Sequence, residues 1–414
     1  MEEKQKSQFS GKSFAIGVVA GLVVCIFLTV IGINIYARMS NEYLVIGGGG
    51  KEKVEDVELL DEKTVDKINE ITKKMDLYYY EDYDEDEIRN GLLHGLVEGI
   101  GDPYSVYYTK EEYEDLSIKT TGTYYGIGAG LRQDPKTMQV TVNKVYKGTP
   151  AEESGLLKDD VILYVDDIEA TSMELSKLVL NIRGEEGTSV HLKIYRESTA
   201  ETLEFDVERR NVELPSVESQ VLEDGIGYIQ ISEFQKNTAE QFDTHLKGLM
   251  QQGVKGIVVD LRDNPGGLLG AVTEILDELL PEGLIVYTED KYGKRDEYKS
   301  DANSIDIPMV VLVNGNSASA SEIFAGAVKD YGIGTLIGTK TFGKGVVQQM
   351  IDLGDGSAMK VTISKYFTPN GVCIHGTGIE PDIELEFDSE SYKKDESDNQ
   401  LQKAIEVLNG SKEQ

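Results

Sequence analysis

The chain has 414 residues, which is enough for two or three domains with substantial hydrophobic cores. Its formal net charge at pH 7 is -33, a surface charge that repels polyanions, so nucleic acid is not expected as a partner. The two cysteines, Cys25 and Cys373, exclude a disulfide framework, and no Cys/His spacing indicates a metal site.

The first feature in chain order is an apolar stretch, Phe14 to Tyr36, in which only Thr29 and Asn34 are polar. A helix of this length spans a hydrocarbon core of about 30 Å. Lysines precede the stretch, so the positive-inside rule predicts a cytoplasmic N-terminus. A cleaved signal peptide is the alternative, but its apolar region would be shorter and would end in an A-x-A-like site. We therefore expect a cytoplasmic tail at residues 1–13 and a single-pass anchor in the cell membrane at residues 14–37, with the remainder extracytoplasmic.

The next segments are a linker and a helical region. Residues 38–59 contain consecutive glycines and a charged run, which is typical of a linker. Residues 60–117 show helical periodicity in VDKINEITKKM, DEDEIRNGLLHGLVEGI and TKEEYEDL. Asp84 or Asp86 is a suitable N-cap for the second of these helices.

Residues 118–210 change to short alternating strands with one helix, MELSKLVLNIRG, among them. The stretch GTPAEESGLLKDDVILYVDD resembles the P-A-x-x-A-G-L-x-x-G-D-x-I-x-x-V-x-G pattern of PDZ domains. An alanine and two turn glycines of that pattern are replaced by Ser154, Asp159 and Asp167, which are mild departures.

Upstream of that stretch, YYGIGAGL matches the PDZ loop whose backbone N–H groups hold the terminal carboxylate of a peptide. The resemblance makes Gly126, Ile127 and Gly128 peptide-binding candidates. An extended peptide would add a strand beside this loop and the helix around Leu178.

From residue 211 to 390, near-continuous apolar strands alternate with helices, as in KGIVVDLRDNPGG followed by LLGAVTEILDELL. This alternation predicts an α/β domain with a largely parallel sheet covered on both faces. DNQLQKAIEVLNG predicts an amphipathic helix in a C-terminal helical tail, residues 391–414. The fold class is therefore multidomain α+β and α/β: a transmembrane helix, a helical segment, a small β domain and an α/β core.

The motif NGNSASASEIF places three serines at a predicted strand-to-helix turn. Ser319 and Glu322 have the spacing of a capping box, which is a purely structural role. The same position suits a nucleophile, because the free N–H groups at a helix N-terminus can stabilise an oxyanion. These residues alone leave both roles open.

A serine nucleophile needs a base. Gly315 to Ser317 begins the G-[DN]-S-G-G motif of trypsin-like enzymes, but the two glycines are missing and no histidine lies in a T-A-x-H setting. Lys344, in GTKTFGKGVVQQ, is the other candidate base. Burial beside Phe342, Val346 and Val347 would lower its pKa from about 10.4 towards about 7–8.

Gly338 to Lys344 also nearly matches the phosphate-binding motif G-x-x-x-x-G-K-[ST], which would make the protein a nucleotide-dependent enzyme. Gly345 stands where the magnesium-binding hydroxyl belongs, and the following VVQQMIDL alternates like a strand. The expected compartment also holds little ATP, so this alternative is the weaker one.

Three motifs, D-L-R-x-N-x-G-G, S-A-S-A-S-E and T-F-G-K-G-x-x-Q, occur together with the PDZ segment and the downstream GTGIEPD. With them the chain resembles the carboxyl-terminal processing peptidases, PDZ-containing serine proteases that use a Ser–Lys dyad. The resemblance implies that Ser319 is the nucleophile, Lys344 the general base, and Gln348 the residue that positions the lysine. It also implies an oxyanion hole formed by the backbone N–H groups of Gly266 and Ala320.

The resemblance further implies an extracytoplasmic endopeptidase that cleaves proteins near their C-termini and captures a free C-terminus with its PDZ domain, without a metal or cofactor. Ser317 and Ser321 are expected to be structural. Arg183 matches an arginine that in relatives couples peptide binding to activity. A homodimer is plausible, because the flanking helices resemble regions that pair subunits. The alternative is a non-catalytic PDZ scaffold with an inactive protease-like domain.

Overall fold

The computed structural model describes residues 42–44, 51–53 and 59–410 of the chain. The predicted membrane anchor, residues 14–37, lies outside this part. Among the residues that are described, no helix is both long and apolar enough to cross a bilayer. The chain divides into two compact units, Met1–Ile88 and Arg89–Gln414.

The first unit contains a strand pair and a helix. Strands β1 (Glu42–Leu44) and β2 (Lys51–Lys53) pair antiparallel inside the segment predicted as a linker. Helix α1 (Glu62–Tyr78) begins where the Asp61 carboxylate accepts the Thr64 N–H at 2.8 Å. Such a cap satisfies one of the free N–H groups of a helix start.

Two further helices confirm the helical prediction for residues 60–117. Helix α2 (Glu85–Glu98) follows Asp84, whose carboxylate accepts the Asp86 N–H at 2.8 Å. Strand β3 (Val106–Tyr108) was not predicted. Helix α3 (Lys110–Thr121) has a capping box made by Thr109 and Glu112 and ends at a left-handed glycine.

The predicted small β domain is built around one antiparallel sheet of order β10-β9-β7-β6-β5, with β8 beside β7, while β4 pairs with β11 outside it. Its apolar residues form a separate core that includes Val140, Leu178 and Leu192. The elements are β4 (Thr123–Gly126), β5 (Ala129–Gln133), β6 (Val140–Val145), α4 (Pro150–Ser154), β7 (Val161–Val165), β8 (Ile168–Glu169), α5 (Leu175–Ile182), β9 (Ser189–Arg196), β10 (Glu201–Glu208) and β11 (Arg210–Glu213).

The remaining elements form the α/β core: β12 (Val217–Val221), β13 (Gly227–Ile231), α6 (Thr238–Gln251), β14 (Ile257–Asp260), α7 (Leu269–Leu279), β15 (Gly283–Asp290), β16 (Arg295–Ser300), β17 (Met309–Val313), α8 (Ala320–Tyr331), β18 (Gly334–Gly338), β19 (Val346–Asp352), β20 (Ala358–Phe367), β21 (Ile383–Glu384), α9 (Ser389–Asp395) and α10 (Asn399–Gly410). Short 3-10 helices lie at Ala170–Ser172 and Glu223–Gly225.

The main sheet of this core has the order β12-β13-β14-β17-β18-β21 and is parallel except for β12. Successive side chains of a strand point to opposite faces. Val259 and Val311 accordingly belong to the larger core cluster, with residues of α6, α7 and α8. Val258 and Val310 belong to the opposite cluster, which includes Ala404 of α10. The prediction of a largely parallel sheet covered on both faces is confirmed, and the C-terminal helix supplies part of the second cover.

A second, antiparallel sheet was not predicted. It has the order β16-β15-β20-β19, and β3 pairs with β20. Strand β19 begins immediately after Lys344 and Gly345, and β20 ends with Tyr366 and Phe367. This sheet therefore brings the lysine segment beside the main sheet.

Candidate active site

Ser319 lies in a strained turn between β17 and α8. Its backbone has φ 54° and ψ -110°, a conformation that residues with a Cβ rarely adopt. The turn follows a strand whose five residues are all buried. The Glu322 carboxylate accepts the Ser319 N–H at 2.9 Å, in agreement with the predicted capping box. Backbone strain of this kind concentrates at functional sites, so it favours a catalytic role beside the capping role.

The two flanking serines are fully buried and bind backbone groups, as predicted. The Ser317 hydroxyl donates to the Leu261 carbonyl at 2.8 Å, and the Ser321 hydroxyl donates to the Asn264 carbonyl at 2.9 Å. Both acceptors belong to the segment that follows β14. The alternating serines therefore divide into two that join neighbouring loops and one, Ser319, at the strained position.

The loop 260–267 packs directly against Ser319. Gly266 has φ 102°, and a Cβ there would lie 2.5 Å from the Ala318 carbonyl oxygen and 2.8 Å from the Ser319 Cβ. Only glycine fits this approach. The Gly266 N–H, a predicted oxyanion donor, donates to the Asn264 side-chain oxygen at 2.8 Å. Ala320, the other predicted donor, is the first residue of α8, where N–H groups have no intrahelical acceptor.

Lys344 is half-buried between β18 and β19. Its Nζ lies 4.9 Å from the centre of the Tyr104 ring. Burial lowers the pKa of Lys344, and the charge of Lys360 lowers it further, whereas the carboxylates of Asp102 and Glu322 raise it. The lowered pKa is the direction that a general base requires.

The surroundings of the lysine differ in part from the prediction. Val346 is buried, but Phe342 is 57% exposed, and Tyr104 provides an aromatic contact instead. Strand β19 follows Lys344, as predicted from the alternation of VVQQMIDL, whereas a phosphate-binding loop would be followed by a helix. In the part of the chain that the structure describes, no hydrogen bond joins the Lys344 amine to the Ser319 hydroxyl.

Gln348 lies on β19, two residues after Val346. Its amide nitrogen donates to the Val346 carbonyl at 3.2 Å and to the Thr362 hydroxyl at 3.4 Å. Its predicted action on Lys344 stays a prediction.

Glu322 and Tyr366 contact both segments of the site, and sequence reasoning missed these contacts. Glu322, treated only as a helix cap, is fully buried, and its carboxylate also accepts the Lys344 N–H at 2.8 Å. Tyr366 is 1% exposed, and its hydroxyl contacts the carbonyl oxygens of Ser319 and Lys344. A glutamate among the apolar residues of a helix was the sequence signal that could have indicated a buried role for Glu322. No sequence feature indicated the contacts of Tyr366.

The predicted peptide-binding loop follows β4 and precedes β5, which is an edge strand of its sheet. Ile127 is 2% exposed, and its carbonyl accepts the Ala151 N–H at 2.8 Å. Gly128 has φ 83°, and a Cβ there would lie 2.3 Å from the Thr149 Cβ. At Gly126 a Cβ would meet the Tyr124 ring at 2.5 Å. An edge strand beside a glycine-rich loop is the arrangement that strand addition by a peptide needs.

Arg183 is the C-cap residue of α5 and is not a plain surface arginine. Its guanidinium pairs with the Asp115 carboxylate of α3 at 2.7 Å and lies 5.6 Å from the centre of the Tyr124 ring. These contacts connect the helix that flanks the peptide site to α3. They are consistent with a coupling role, which stays a prediction.

Comparison with known proteins places these features in a family. The model for peptidase family S41 matches residues 225–385, and a PDZ domain model matches residues 123–207. The model for the activating protease CtpB N-terminal domain matches residues 28–112. A carboxyl-terminal-processing protease of Synechocystis sp. is 38% identical over 323 residues, which cover 76% of this chain and 75% of that protein. The chain belongs to peptidase family S41, among the carboxyl-terminal processing proteases.

Two more members of the processing proteases are similar to the chain. The carboxy-terminal processing protease CtpB of Bacillus subtilis is 36% identical over 329 residues, covering 78% of this chain and 68% of that protein. A solved structure of a photosystem II D1 C-terminal processing protease is 31% identical and covers 77% of this chain and 86% of that one, with a TM-score of 0.45. The predicted family is confirmed, and with it the multidomain α/β architecture of a PDZ domain and an S41 core.

Proposed function

We propose that this processing protease is a membrane-anchored, extracytoplasmic serine endopeptidase that cleaves proteins near their C-termini. One observation carries the proposal: a single buried carboxylate, that of Glu322, binds the backbone N–H groups of both Ser319 and Lys344. This carboxylate joins the backbone of a strained serine to the backbone of a half-buried lysine of lowered pKa, 25 positions apart in sequence. That combination suits nucleophilic catalysis with a lysine base.

In the proposed reaction, the Ser319 hydroxyl attacks the scissile carbonyl while neutral Lys344 takes its proton. The N–H of Ala320 stabilises the oxyanion of the tetrahedral intermediate. Gly266 supplies the second N–H when it exchanges the Asn264 oxygen for the oxyanion. The protonated lysine then returns its proton to the leaving amine, and water hydrolyses the acyl-enzyme. To take the proton in the first step, the Lys344 amine must move from the Tyr104 ring towards the Ser319 hydroxyl.

Substrate capture is assigned to the PDZ domain. The backbone N–H groups of the loop at Gly126 to Gly128 would hold the terminal carboxylate of a protein substrate, and the substrate chain would pair with the edge strand β5. The helix at residues 14–37 would hold the catalytic domain just outside the membrane, and pairing of two chains would give a homodimer. Carbonate extraction of membranes and light scattering of the purified protein test these last two statements.

The decisive experiment measures hydrolysis of a fluorogenic peptide with an apolar C-terminus. Ser319→Ala and Lys344→Ala should each abolish turnover, and so should Lys344→Arg, because a guanidinium stays charged and cannot accept the proton. Lys340→Ala is the matched control: Lys340 pairs with Glu380 on the surface, 2.8 Å away, and its loss should leave turnover unchanged. Wild-type protein that binds the peptide without cleaving it would support the non-catalytic scaffold instead.

A further inference from the structure

The geometry points to Glu322 and Tyr366 as a two-sided clamp that sets the distance between the nucleophile and base segments, and hence the rate of the chemical step. Both are positioning residues, since neither is proposed to react. This inference rests on the proposed peptidase function and deepens it.

The first half of the clamp is the Glu322 carboxylate. One oxygen, Oε2, accepts the N–H groups of Ser319 and Lys344 at 2.9 and 2.8 Å. The other, Oε1, accepts the Thr341 hydroxyl at 2.6 Å and the Gly343 N–H at 2.7 Å. An ionised carboxylate only accepts hydrogen bonds, and it has room for four donors. One side chain therefore attaches the nucleophile turn to three residues of the lysine segment.

The second half of the clamp is the Tyr366 hydroxyl. It lies 2.9 Å from the Ser319 carbonyl oxygen and also contacts the Lys344 carbonyl oxygen. The backbone N–H of Tyr366 donates to the Gly345 carbonyl at 3.1 Å. The ring is almost fully buried, so it has little freedom to follow a displaced loop.

Glu322 thus accepts the N–H groups of both Ser319 and Lys344, while the Tyr366 hydroxyl lies against the C=O groups of both and shares its single proton between them. With these backbone groups held, the approach of amine to hydroxyl depends on side-chain torsions alone. A misplacement of about 1 Å can cost about 100-fold in rate, so such restraint has a direct kinetic effect. The Glu322 bonds to Thr341 and Gly343 are buried, which favours these hydrogen bonds over exchange with water.

The two residues predict different kinetic signatures. Tyr366→Phe removes only the hydroxyl, so kcat should fall about tenfold or more while KM changes less than about twofold. The acidic limb of the pH profile of kcat/KM should stay at the wild-type position in Tyr366→Phe. Burial raises the pKa of Tyr366 well above its ordinary value, so the phenol that is removed is neutral throughout the profile.

Glu322→Gln should lower kcat and also move the acidic limb. The groups that act on the Lys344 charge are Lys360, Asp102 and Glu322, beside the Tyr104 ring. The Glu322 carboxylate stabilises the ammonium, so its removal lowers the pKa of Lys344 further. The neutral amine then appears at lower pH, and the acidic limb of kcat/KM shifts to lower pH.

The experiment compares full-length wild type, Tyr366→Phe, Glu322→Gln and a control, Tyr331→Phe. The Tyr331 hydroxyl also donates to a backbone carbonyl, that of Leu284 at 3.1 Å, but lies outside the site. Steady-state kinetics across pH and the rate of Ser319 labelling by a fluorophosphonate are measured, with folding checked by thermal unfolding. We expect slower labelling in both clamp variants and wild-type rates in Tyr331→Phe.

A folded Tyr366→Phe protein with wild-type kcat and labelling rate would overturn the clamp. This variant decides the question even where Glu322→Gln fails to fold, since it nearly preserves side-chain volume. If the acidic limb of kcat/KM in folded Glu322→Gln stayed at the wild-type pH, that result would also count against the clamp. Failure of the proposed function looks different: wild type itself would show no turnover, or Ser319→Ala would cleave as well as wild type.

Discussion

Gly266→Ala tests the close approach of the loop 260–267 to the nucleophile turn. The new Cβ would lie 2.5 Å from the Ala318 carbonyl oxygen, 2.8 Å from the Ser319 Cβ and 2.9 Å from the Ala320 nitrogen. These are backbone and near-backbone atoms, which cannot move aside as the end of a flexible side chain could. The residue also has φ 102°, where alanine is strained.

The expected cost in stability follows from these two effects. Backbone strain of this kind costs about 1–3 kcal/mol, and overpacking a rigid site costs about 1–3 kcal/mol. The free energy of unfolding of the core should therefore fall by about 2–6 kcal/mol, and its melting temperature by at least about 4 °C. Because the displaced atoms include the oxyanion donor at Ala320, kcat should fall about 100-fold or more.

The assay combines thermal unfolding with hydrolysis of the apolar peptide. Gly248→Ala in α6 is the matched control, because a Cβ there meets nothing within 4 Å. It should stabilise the protein by about 0.5–1 kcal/mol and leave kcat unchanged. If Gly266→Ala kept both the melting temperature and kcat of wild type, the loop could not be packed against Ser319 as described.

Three further outcomes are expected. Lys360→Met removes a positive charge that lowers the pKa of Lys344, so the pKa of Lys344 should rise. The acidic limb of the pH profile of kcat/KM should then move to higher pH. An acidic limb that stays in place or moves to lower pH would contradict the assignment of Lys344 as the base. Ser321→Ala should keep kcat within about tenfold of wild type while losing about 0.5–1.5 kcal/mol of stability, measured by urea denaturation, because one hydrogen bond is lost but the Asn264 carbonyl keeps the Ala318 N–H at 3.0 Å. Complete inactivity of a stable variant would challenge Ser319 as the nucleophile. Asp398 directly precedes α10, and its carboxylate pairs with Arg262 at 2.8 Å. Asp398→Asn should weaken this pair and lower the free energy of unfolding, measured by urea denaturation, by about 1–3 kcal/mol without changing KM. An unchanged urea midpoint would show that the pair does not hold α10.

Much of the fold could be predicted because its signals are local. The period of apolar residues predicted most of the helices and the strands β13, β14, β17 and β18 of the main sheet, and Asp84 was one of two cap candidates identified from neighbouring residues. The role of Ser317 could be predicted in the same way, since a serine in a buried turn must satisfy nearby backbone groups. Hydrogen bonds within a few residues depend little on where the rest of the chain goes.

The second sheet could not be predicted in this way. Strand β19 was identified from its alternation, but its partner β20 is antiparallel, whereas the strands of the main sheet are parallel. Alternation shows which residues of a strand share a face and carries no information about the strand that pairs with it. The approach of the lysine segment to the nucleophile turn depends on that pairing.

The sequence by itself supplied Ser319 and Lys344 as candidates, because they stand in short motifs whose residues are adjacent, and the family resemblance implied their roles as nucleophile and base. Only the tertiary structure decided how they are held. Glu322 accepts the N–H groups of Gly343 and Lys344, 21 and 22 positions away, and the Tyr366 hydroxyl contacts the Ser319 carbonyl 47 positions away. Arg183 likewise pairs with Asp115 across 68 positions. The physical reason is that a buried polar group must find its partner wherever packing places it. Packing is a property of the whole chain, and no single stretch of residues contains it.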